Sequence, residues 1–281
     1  MATKKAASTK KKAQMKSSTS SAAKTTVKTV KTVSVSASAS QTGLSSHIVT
    51  SLRSAKLWRA LAAEFIGTFL LAGVIIAGQG QPIFVLFALV GIVLFIGSIS
   101  GAHVNPALTI GAWATRRIGW LRAVAYIIVQ LLGAAVAYLA FSAFIGGAAS
   151  VSEQQQLYGQ AAPTLFAAAD VAKLAGKEWY IFFSELLGTA ILGFALASAT
   201  RTLDRLTGAF TMGLGIFVAL MITVTIAGYV SASAIINPAV ALALQAYQPT
   251  VWAYVVYALA PVIGGVLGFI VHDLVRTKEV I

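Results

Sequence analysis

The sequence predicts an all-α membrane protein with six transmembrane helices and two re-entrant half-helices in an inverted repeat. Of its 281 residues, 58% are hydrophobic and only 10% are charged, whereas a soluble globular chain carries about 25% charged residues. Long apolar stretches also recur along the chain, each of roughly the length that a helix needs to cross a ~30 Å hydrocarbon core. This composition excludes an ordinary soluble enzyme.

The apolar stretches begin after Trp58 and are rich in Gly and Ala as well as Leu, Ile and Val. Small residues of this kind allow helices to approach closely in lipid. The polar run from Glu153 to Gln156 interrupts the pattern, so residues 142–178 are predicted to form a loop. The predicted spans are 58–77, 83–100, 120–141, 179–199, 207–228 and 252–272.

The net charge of +13 is concentrated in the N-terminal segment. Of the 21 Lys and Arg residues, 11 lie at or before Lys56, and the first acidic residue is Glu64. Residues 1–56 are otherwise mostly Ser, Thr, Ala and Val. They have too little apolar surface to offset the chain entropy, so we predict a disordered cytoplasmic tail. The tail is expected either to contact anionic lipid headgroups or to remain solvated without a specific partner. An organelle transit peptide is a further interpretation, and no nucleic acid partner is expected.

The remaining cations sort to one side of the predicted membrane. If the N-terminus is cytoplasmic, the segments that carry Arg116, Arg201 and Arg276 are cytoplasmic as well, and only Lys173 and Lys177 lie outside. This distribution satisfies the positive-inside rule. The sequence therefore predicts an integral, multi-pass protein with both termini in the cytoplasm, in a membrane that the sequence does not identify.

Two shorter apolar segments, at 100–111 and 231–242, cannot cross a membrane and enter it from opposite sides. Each contains the tripeptide Asn-Pro-Ala. Proline suits the first position of a helix, and asparagine suits the capping position before it. Each segment is therefore predicted to begin a re-entrant half-helix that is buried in protein. The two motifs are Asn105, Pro106, Ala107 and Asn237, Pro238, Ala239.

The two halves of the membrane domain, 57–275, also match where their first spans begin. Glu64 opens the sequence Glu-Phe-Ile-Gly-Thr, and Glu185 opens Glu-Leu-Leu-Gly-Thr. With three spans in each half, repeat one (57–141) and repeat two (179–275) have opposite orientations. Inverted repeats place the functional site at their interface near the middle of the membrane.

Two facing half-helices would direct their N-terminal ends at each other, and each end carries about half a positive charge. Asn105 and Asn237 could then point their amide N–H groups into the gap between them. Water molecules in single file would have their oxygens held by both donors. That orientation interrupts a proton-conducting chain, and the dipoles repel cations. The paired motifs therefore predict a pore for neutral molecules that excludes protons.

These motifs, in this order, make the sequence resemble the aquaporin, or major intrinsic protein, family over roughly 57–275. The resemblance implies a homotetramer with one pore per subunit, in contact with membrane lipid. It also implies passive transport with no cofactor, metal or enzymatic chemistry. The residues that carry it are Ala63-Glu-Phe-Ile-Gly-Thr68, Ser100-Gly-Ala-His-Val-Asn-Pro-Ala107, Gln130-Leu-Leu-Gly133, Glu185-Leu-Leu-Gly-Thr189, Asn237-Pro-Ala239 and Pro261-Val-Ile-Gly-Gly265.

The resemblance also implies a selectivity filter that departs from the usual one. Most relatives have an arginine directly after the second motif, but this chain has Val240, as do some plant tonoplast intrinsic proteins. Counting back from the matched motifs places the other filter residues at Val85, Thr225 and Ala234, and a slip of one residue would exchange Val85 for Phe84. Without arginine, the filter loses a fixed cation and up to five donors. We therefore expect it to pass small neutral solutes such as urea, glycerol or ammonia as well as water.

Polar residues near the motifs are expected to support the re-entrant segments. Glu64 and Glu185 can accept hydrogen bonds from non-helical backbone, and His103 is expected to assist them. Gln130 is expected to pack or hydrogen-bond within the bundle, and the resemblance implies that it supports a re-entrant segment. Ser233 stands where relatives usually have glycine, which is expected to alter how its loop packs. Two alternatives to a channel are a proton-coupled small-solute carrier that uses the two glutamates and a non-conducting structural membrane protein. The sequence has no cysteine and no metal-ligand spacing.

Overall fold

A computed structural model describes residues 48–146, 152–159, 164–174 and 176–276. All regular structure in these ranges is helical, and six of the helices found there are long and apolar enough to cross a membrane. The predicted fold class is thereby confirmed. Most of the predicted tail, up to residue 47, lies outside the described residues.

The helices differ in length according to their place in the repeat. Two short helices, α3 and α8, begin at the Asn-Pro-Ala motifs, and the last span consists of α9, a π-helical turn and α10. The bounds are α1 Ala55–Ala77, α2 Pro82–Ser100, α3 Pro106–Ala114, α4 Trp120–Gly146, α5 Glu153–Leu157, a 3₁₀ turn Val171–Leu174, α6 Glu178–Ala199, α7 Arg205–Gly228, α8 Pro238–Ala243, α9 Val251–Tyr254, the π turn Val255–Leu259 and α10 Ala260–Val275.

The structure corrects the predicted loop 142–178. Helix α4 continues to Gly146, because residues 142–145 are Ser-Ala-Phe-Ile and contain no helix breaker. The segment also holds the short helix α5 and the 3₁₀ turn Val171–Leu174. The chain outside the six spans is thus shorter and more structured than its composition indicates.

Glycines let the first and third spans of each repeat come into backbone contact. A Cβ atom added to Gly133 on α4 would lie 2.4 Å from the carbonyl oxygen of Phe65 on α1. In the second repeat, a Cβ on Gly264 would lie 2.1 Å from the carbonyl oxygen of Leu186 on α6. Phe65 and Leu186 each directly follow the glutamate that opens their repeat. The two repeats therefore share one helix-packing geometry, and it holds the two glutamates at equivalent places.

The outer surfaces of the spans carry large apolar side chains. Phe87 and Phe95 on α2 and Phe144 on α4 are each more than half exposed in the single chain. Such surfaces suit lipid or a neighbouring subunit. The buried polar side chains, in contrast, concentrate around the two half-helices, among them Glu64, Asn105, Gln130, Glu185 and Asn237.

Candidate functional site

Each Asn-Pro-Ala motif caps its own half-helix. Asn105 is extended, with φ −157°, and its side-chain oxygen accepts a 2.9 Å hydrogen bond from the backbone N–H of Ala107. Asn237 repeats this geometry with φ −153° and a 3.0 Å bond from Ala239. Both amide oxygens are therefore used within their own helix caps, which fixes the direction of the two NH₂ groups.

The two asparagines bind the backbone of the opposite repeat. Nδ2 of Asn105 donates to the carbonyl oxygen of Ile236 at 2.9 Å, and Nδ2 of Asn237 donates to the carbonyl oxygen of Val104 at 2.9 Å. Each acceptor directly precedes the other asparagine in the chain. The N-terminal ends of α3 and α8 therefore meet inside the protein, and each amide keeps a second N–H donor.

The residues before the asparagines adopt an unusual backbone conformation. Val104 has φ +42° and Ile236 has φ +50°, in the left-handed region that is uncommon for β-branched residues. Strain of this kind costs of order 1–3 kcal/mol per residue and persists only where surrounding contacts enforce it. In this protein it directs the carbonyls of residues 104 and 236 at the opposite asparagines.

Two buried glutamates enforce that conformation. Glu64 accepts hydrogen bonds from the backbone N–H groups of residues 103 and 104, at 3.0 and 2.7 Å. Glu185 accepts from residues 235 and 236, at 2.5 and 2.7 Å. Both carboxylates are fully buried. Each glutamate thus contacts the non-helical backbone that precedes an asparagine, which is the contact that a supporting role requires.

Glu64 has a further polar network that the second repeat cannot reproduce. Nε2 of Gln130 donates to Glu64 at 2.8 Å and lies 3.0 Å from the hydroxyl of Thr109. The positions that correspond to Gln130 and Thr109 in the second repeat hold Pro261 and Ala241, whose side chains cannot form hydrogen bonds. The sequence-based prediction treats the two glutamates alike, whereas the structure shows that they differ in their surroundings.

His103 belongs to the same buried cluster. Its Nδ1 lies 3.2 Å from the hydroxyl of Thr109, and its ring packs edge-on against Tyr126 at 5.5 Å between ring centres. The Tyr126 hydroxyl donates to the carbonyl of Ser100 at 2.8 Å. The first re-entrant segment is thus fixed at residue 100 as well as at residues 103 and 104.

A cavity of about 260 Å³, which we call the filter cavity, adjoins the second half-helix. Three of the four proposed filter residues, Val85, Ala234 and Val240, line it together with Asn237. None of the described residues that line it carries a charge. Phe84, the alternative to Val85, is instead exposed on the outer side of α2.

The structure corrects one predicted filter residue. Thr225 does not line the filter cavity; it is exposed, and its hydroxyl donates to the carbonyl of Met221 at 2.7 Å. Ile216, Leu220 and Val224 line the cavity instead, because residues four apart share one helix face. Counting without gaps from Asn237 therefore misplaces the register of α7 by one residue.

Two further residue types at the filter cavity were not predicted. Phe166 reaches the cavity from the segment between α5 and the 3₁₀ turn, and Gln79 and Gln81 reach it from the turn between α1 and α2. Neither segment has a hydrophobic period, so the sequence contains no pattern that would identify these side chains.

A second cavity, of about 450 Å³, adjoins the first re-entrant segment and is lined by His103, Arg117 and Arg201 among others. Arg117 and Arg201 both bind Asp273, at 2.7 and 3.2 Å. Within the described ranges, no group of three or more His, Asp or Glu residues could hold a metal ion.

The comparisons with known proteins agree with this arrangement. The family profile described as Major intrinsic protein matches residues 51–272. Aquaporin NIP3-1 of Oryza sativa subsp. japonica is 32% identical over 79% of this chain and 70% of that protein. Aquaporin AqpM of Methanothermobacter marburgensis is 29% identical over 68% and 74%. The X-ray structure of the aquaglyceroporin from Plasmodium falciparum has the same fold, with a TM-score of 0.60 and 21% identity over 78% of this chain and 96% of that one. The chain therefore belongs to the major intrinsic protein family.

Proposed function

We propose that this protein conducts water and small uncharged solutes, such as urea, glycerol and ammonia, and excludes protons. Family membership makes it an integral membrane channel for water and small solutes and not an enzyme. The observation that supports the wider solute range is the filter cavity without charge, in which Val240 directly follows the second Asn-Pro-Ala motif.

The width of the filter follows from its side chains. Val85, Val224, Ala234 and Val240 are small and aliphatic, and all four line the cavity. A guanidinium group would occupy space and bind water strongly, since it carries a permanent charge and five donors. Without a guanidinium group, the main barrier to a solute is the cost of removing its hydrating water. This cost is small for ammonia and larger for glycerol.

Proton exclusion is assigned to the paired asparagines. Their N–H donors and the N-terminal dipoles of α3 and α8 converge on one place, where positive potential repels cations. A water molecule that accepts hydrogen bonds there points its own hydrogens outward in both directions. Such an arrangement interrupts proton transfer along a file of water.

The contacts of the two glutamates favour a supporting role over proton coupling. Glu64 and Glu185 each hold two backbone N–H groups of a strained segment. Protonation would reduce the capacity of the carboxylates to accept hydrogen bonds from those N–H groups, and the segments that direct the asparagines would lose their support. A carrier that protonates these residues in each cycle would therefore disturb its own pore.

We further propose that the channel is a homotetramer with both termini in the cytoplasm. Arg117, Arg201 and Arg276 lie at one end of the spans, and Lys173 and Lys177 belong to the segment at the other end, which fits the positive-inside rule. The contact of the basic tail with anionic lipid stays a prediction, because most of that segment lies outside the described residues.

Light scattering from proteoliposomes tests the proposed selectivity. Under separate osmotic gradients of sucrose, urea and glycerol, we expect water flux and measurable solute flux, with no accumulation driven by a pH gradient. Val240→Arg should reduce urea and glycerol flux more than water flux. Permeability to water alone in the unaltered protein would contradict the wide filter, and solute accumulation along a pH gradient would favour the carrier.

A further inference from the structure

The filter cavity is bounded on one side by residues 164–170, which we call the strap. Phe166 lines the cavity, and its ring packs against Gly80 in the turn between α1 and α2. A Cβ atom added to Gly80 would lie 2.7 Å from this ring, and Gly80 has φ +67°. The turn therefore has the one residue type that allows the ring to approach so closely.

The strap is fixed to the second re-entrant segment at two points. The backbone N–H of Ala168 donates to the carbonyl of Leu244 at 2.9 Å. The backbone N–H of Ala169 donates to the side-chain hydroxyl oxygen of Ser233 at 2.9 Å. Since glycine at position 233 would have no hydroxyl, the second bond depends on the particular residue that this chain has there.

Further contacts hold the chain in place at Ser233 and directly after the strap. Ser233 precedes the filter residue Ala234, and its carbonyl accepts a 3.0 Å bond from the Tyr257 hydroxyl in the π turn. Directly after the strap, Val171 and Leu174 are 1% and 5% exposed. The strap therefore connects a buried anchor to the backbone of the filter.

We propose that Phe166 sets the upper size limit of the filter and that the bond from Ala169 to Ser233 holds its ring in place. Among the described residues that line the filter cavity, Phe166 is the one aromatic side chain. The ring therefore bounds the same cavity as Val85 and Val240. The inference rests on the proposed function, because it concerns which neutral solutes pass the same filter.

Four variants in proteoliposomes test the inference. Phe166→Ala should raise glycerol permeability relative to water by about tenfold, the lower end of the discrimination that one methylene group makes in an apolar pocket. Ser233→Ala should raise this ratio less, because the ring is still present but held less firmly. The controls are Phe95→Ala, on the exposed side of α2, and Ser231→Ala, two residues upstream of the hydrogen-bonded serine; both should leave the ratio unchanged.

Hydrogen exchange provides a readout that does not depend on transport. The amide of Ala169 should exchange about fivefold faster in Ser233→Ala, as expected for the loss of one ordinary hydrogen bond, and should be unaffected in Ser231→Ala. An unchanged Ala169 exchange rate in Ser233→Ala would overturn the anchoring role of Ser233.

The inference and the proposed function fail in different ways. If the unaltered channel passes glycerol and Phe166→Ala does not raise the ratio, the size-limit role is wrong and the proposed function stands. If the unaltered channel passes only water and Phe166→Ala admits glycerol, the size-limit role is supported and the proposed solute range is wrong.

Discussion

Asn105 and Ile236 are joined across the two repeats by a 2.9 Å hydrogen bond from the side-chain amide to the backbone carbonyl. Asn237 makes the reciprocal bond to Val104, also at 2.9 Å. Because neither bond can form within one repeat, the centre of the pore exists only when both half-helices are in place.

Replacing Asn237 by aspartate tests this central contact. Aspartate keeps the capping oxygen but has no N–H to donate, and it places a carboxylate opposite the carbonyl of Val104. We expect a loss of about 1–3 kcal/mol in the free energy of unfolding, lower water permeability and a measurable proton or cation leak. A pH-sensitive dye inside proteoliposomes detects the leak, and an ion-tight Asn237→Asp variant would contradict the role of the donor.

The close contacts between helix backbones predict that glycine-to-alanine variants differ in their unfolding temperatures. Gly133→Ala and Gly264→Ala would force a methyl group to within 2.4 and 2.1 Å of carbonyl oxygens. Overpacking of this kind costs about 1–3 kcal/mol, so both variants should unfold at lower temperature in detergent.

Gly91→Ala is the matched control in the interior of α2, since its nearest contact would lie at an ordinary 3.9 Å. Helix propensity alone would make that control neutral or up to about 1 kcal/mol more stable. Equal melting temperatures for all three variants would argue against the packing described for the repeats.

The parts of the fold that the sequence predicted well depend on strong local signals. Apolar length determines the six spans, and Asn followed by Pro determines where α3 and α8 begin. Val240 lines the filter cavity directly after a motif, and Val85 lines it although the irregular residues 101–104 separate α2 from Asn105. Thr225 does not line the cavity because the irregular segment between α7 and Asn237, residues 229–236, is longer than the one before Asn105, and its length cannot be read from a pattern.

Two features of the site depend on tertiary contacts that leave no mark in the sequence. Phe166 belongs to a segment without periodicity, and only its packing against Gly80 brings it to the filter cavity. The different surroundings of Glu64 and Glu185 depend on which side chains of distant helices reach them. Gln130 was associated with the first re-entrant segment only through the family resemblance.

The hydrogen bonds of Asp204 lead us to expect that the stability of the N-terminal cap of α7 depends on pH. Its carboxylate accepts hydrogen bonds from the backbone N–H of Thr207, at 2.7 Å, and from the Thr207 hydroxyl. These bonds lower the pKa of the Asp204 carboxyl below its usual value. A lowered pKa in the folded state means that the cap contributes stability above the ordinary carboxyl pKa of about 3.9 and loses it as the pH falls through the lower, folded-state value.

Hydrogen exchange at the Thr207 amide, measured against pH, checks this expectation. After correction for intrinsic exchange, protection should be constant near neutral pH and should decline in acid. Asp204→Ala should show reduced protection at every pH, whereas Asp204→Asn, which keeps the oxygen acceptor, should retain protection without the acid decline. A decline in Asp204→Asn that matches the unaltered protein would assign the titration to another group.

The unequal surroundings of the two glutamates predict unequal effects of the same substitution. In Glu64→Gln, the new NH₂ group can donate to the side-chain oxygen of Gln130 once the Gln130 amide rotates by 180°, because that amide already contacts the residue 64 side chain. In Glu185→Gln, the corresponding positions are Pro261 and Ala241, so the NH₂ group faces the backbone N–H groups of residues 235 and 236 without such an acceptor. An unsatisfied buried donor costs about 1–3 kcal/mol. We therefore expect Glu185→Gln to lower the unfolding temperature and the water permeability more than Glu64→Gln does.

The double variant Glu64→Gln/Gln130→Leu provides the control for this comparison. Leucine removes the amide acceptor of the first repeat at nearly the same volume, so the effect of Glu64→Gln should then approach that of Glu185→Gln. Gln130→Leu alone gives the baseline for the loss of its bond to Glu64. If Glu64→Gln proves as damaging as Glu185→Gln while Gln130 is still present, the polar cluster of the first repeat does not compensate the substitution, and the difference between the repeats has no energetic consequence.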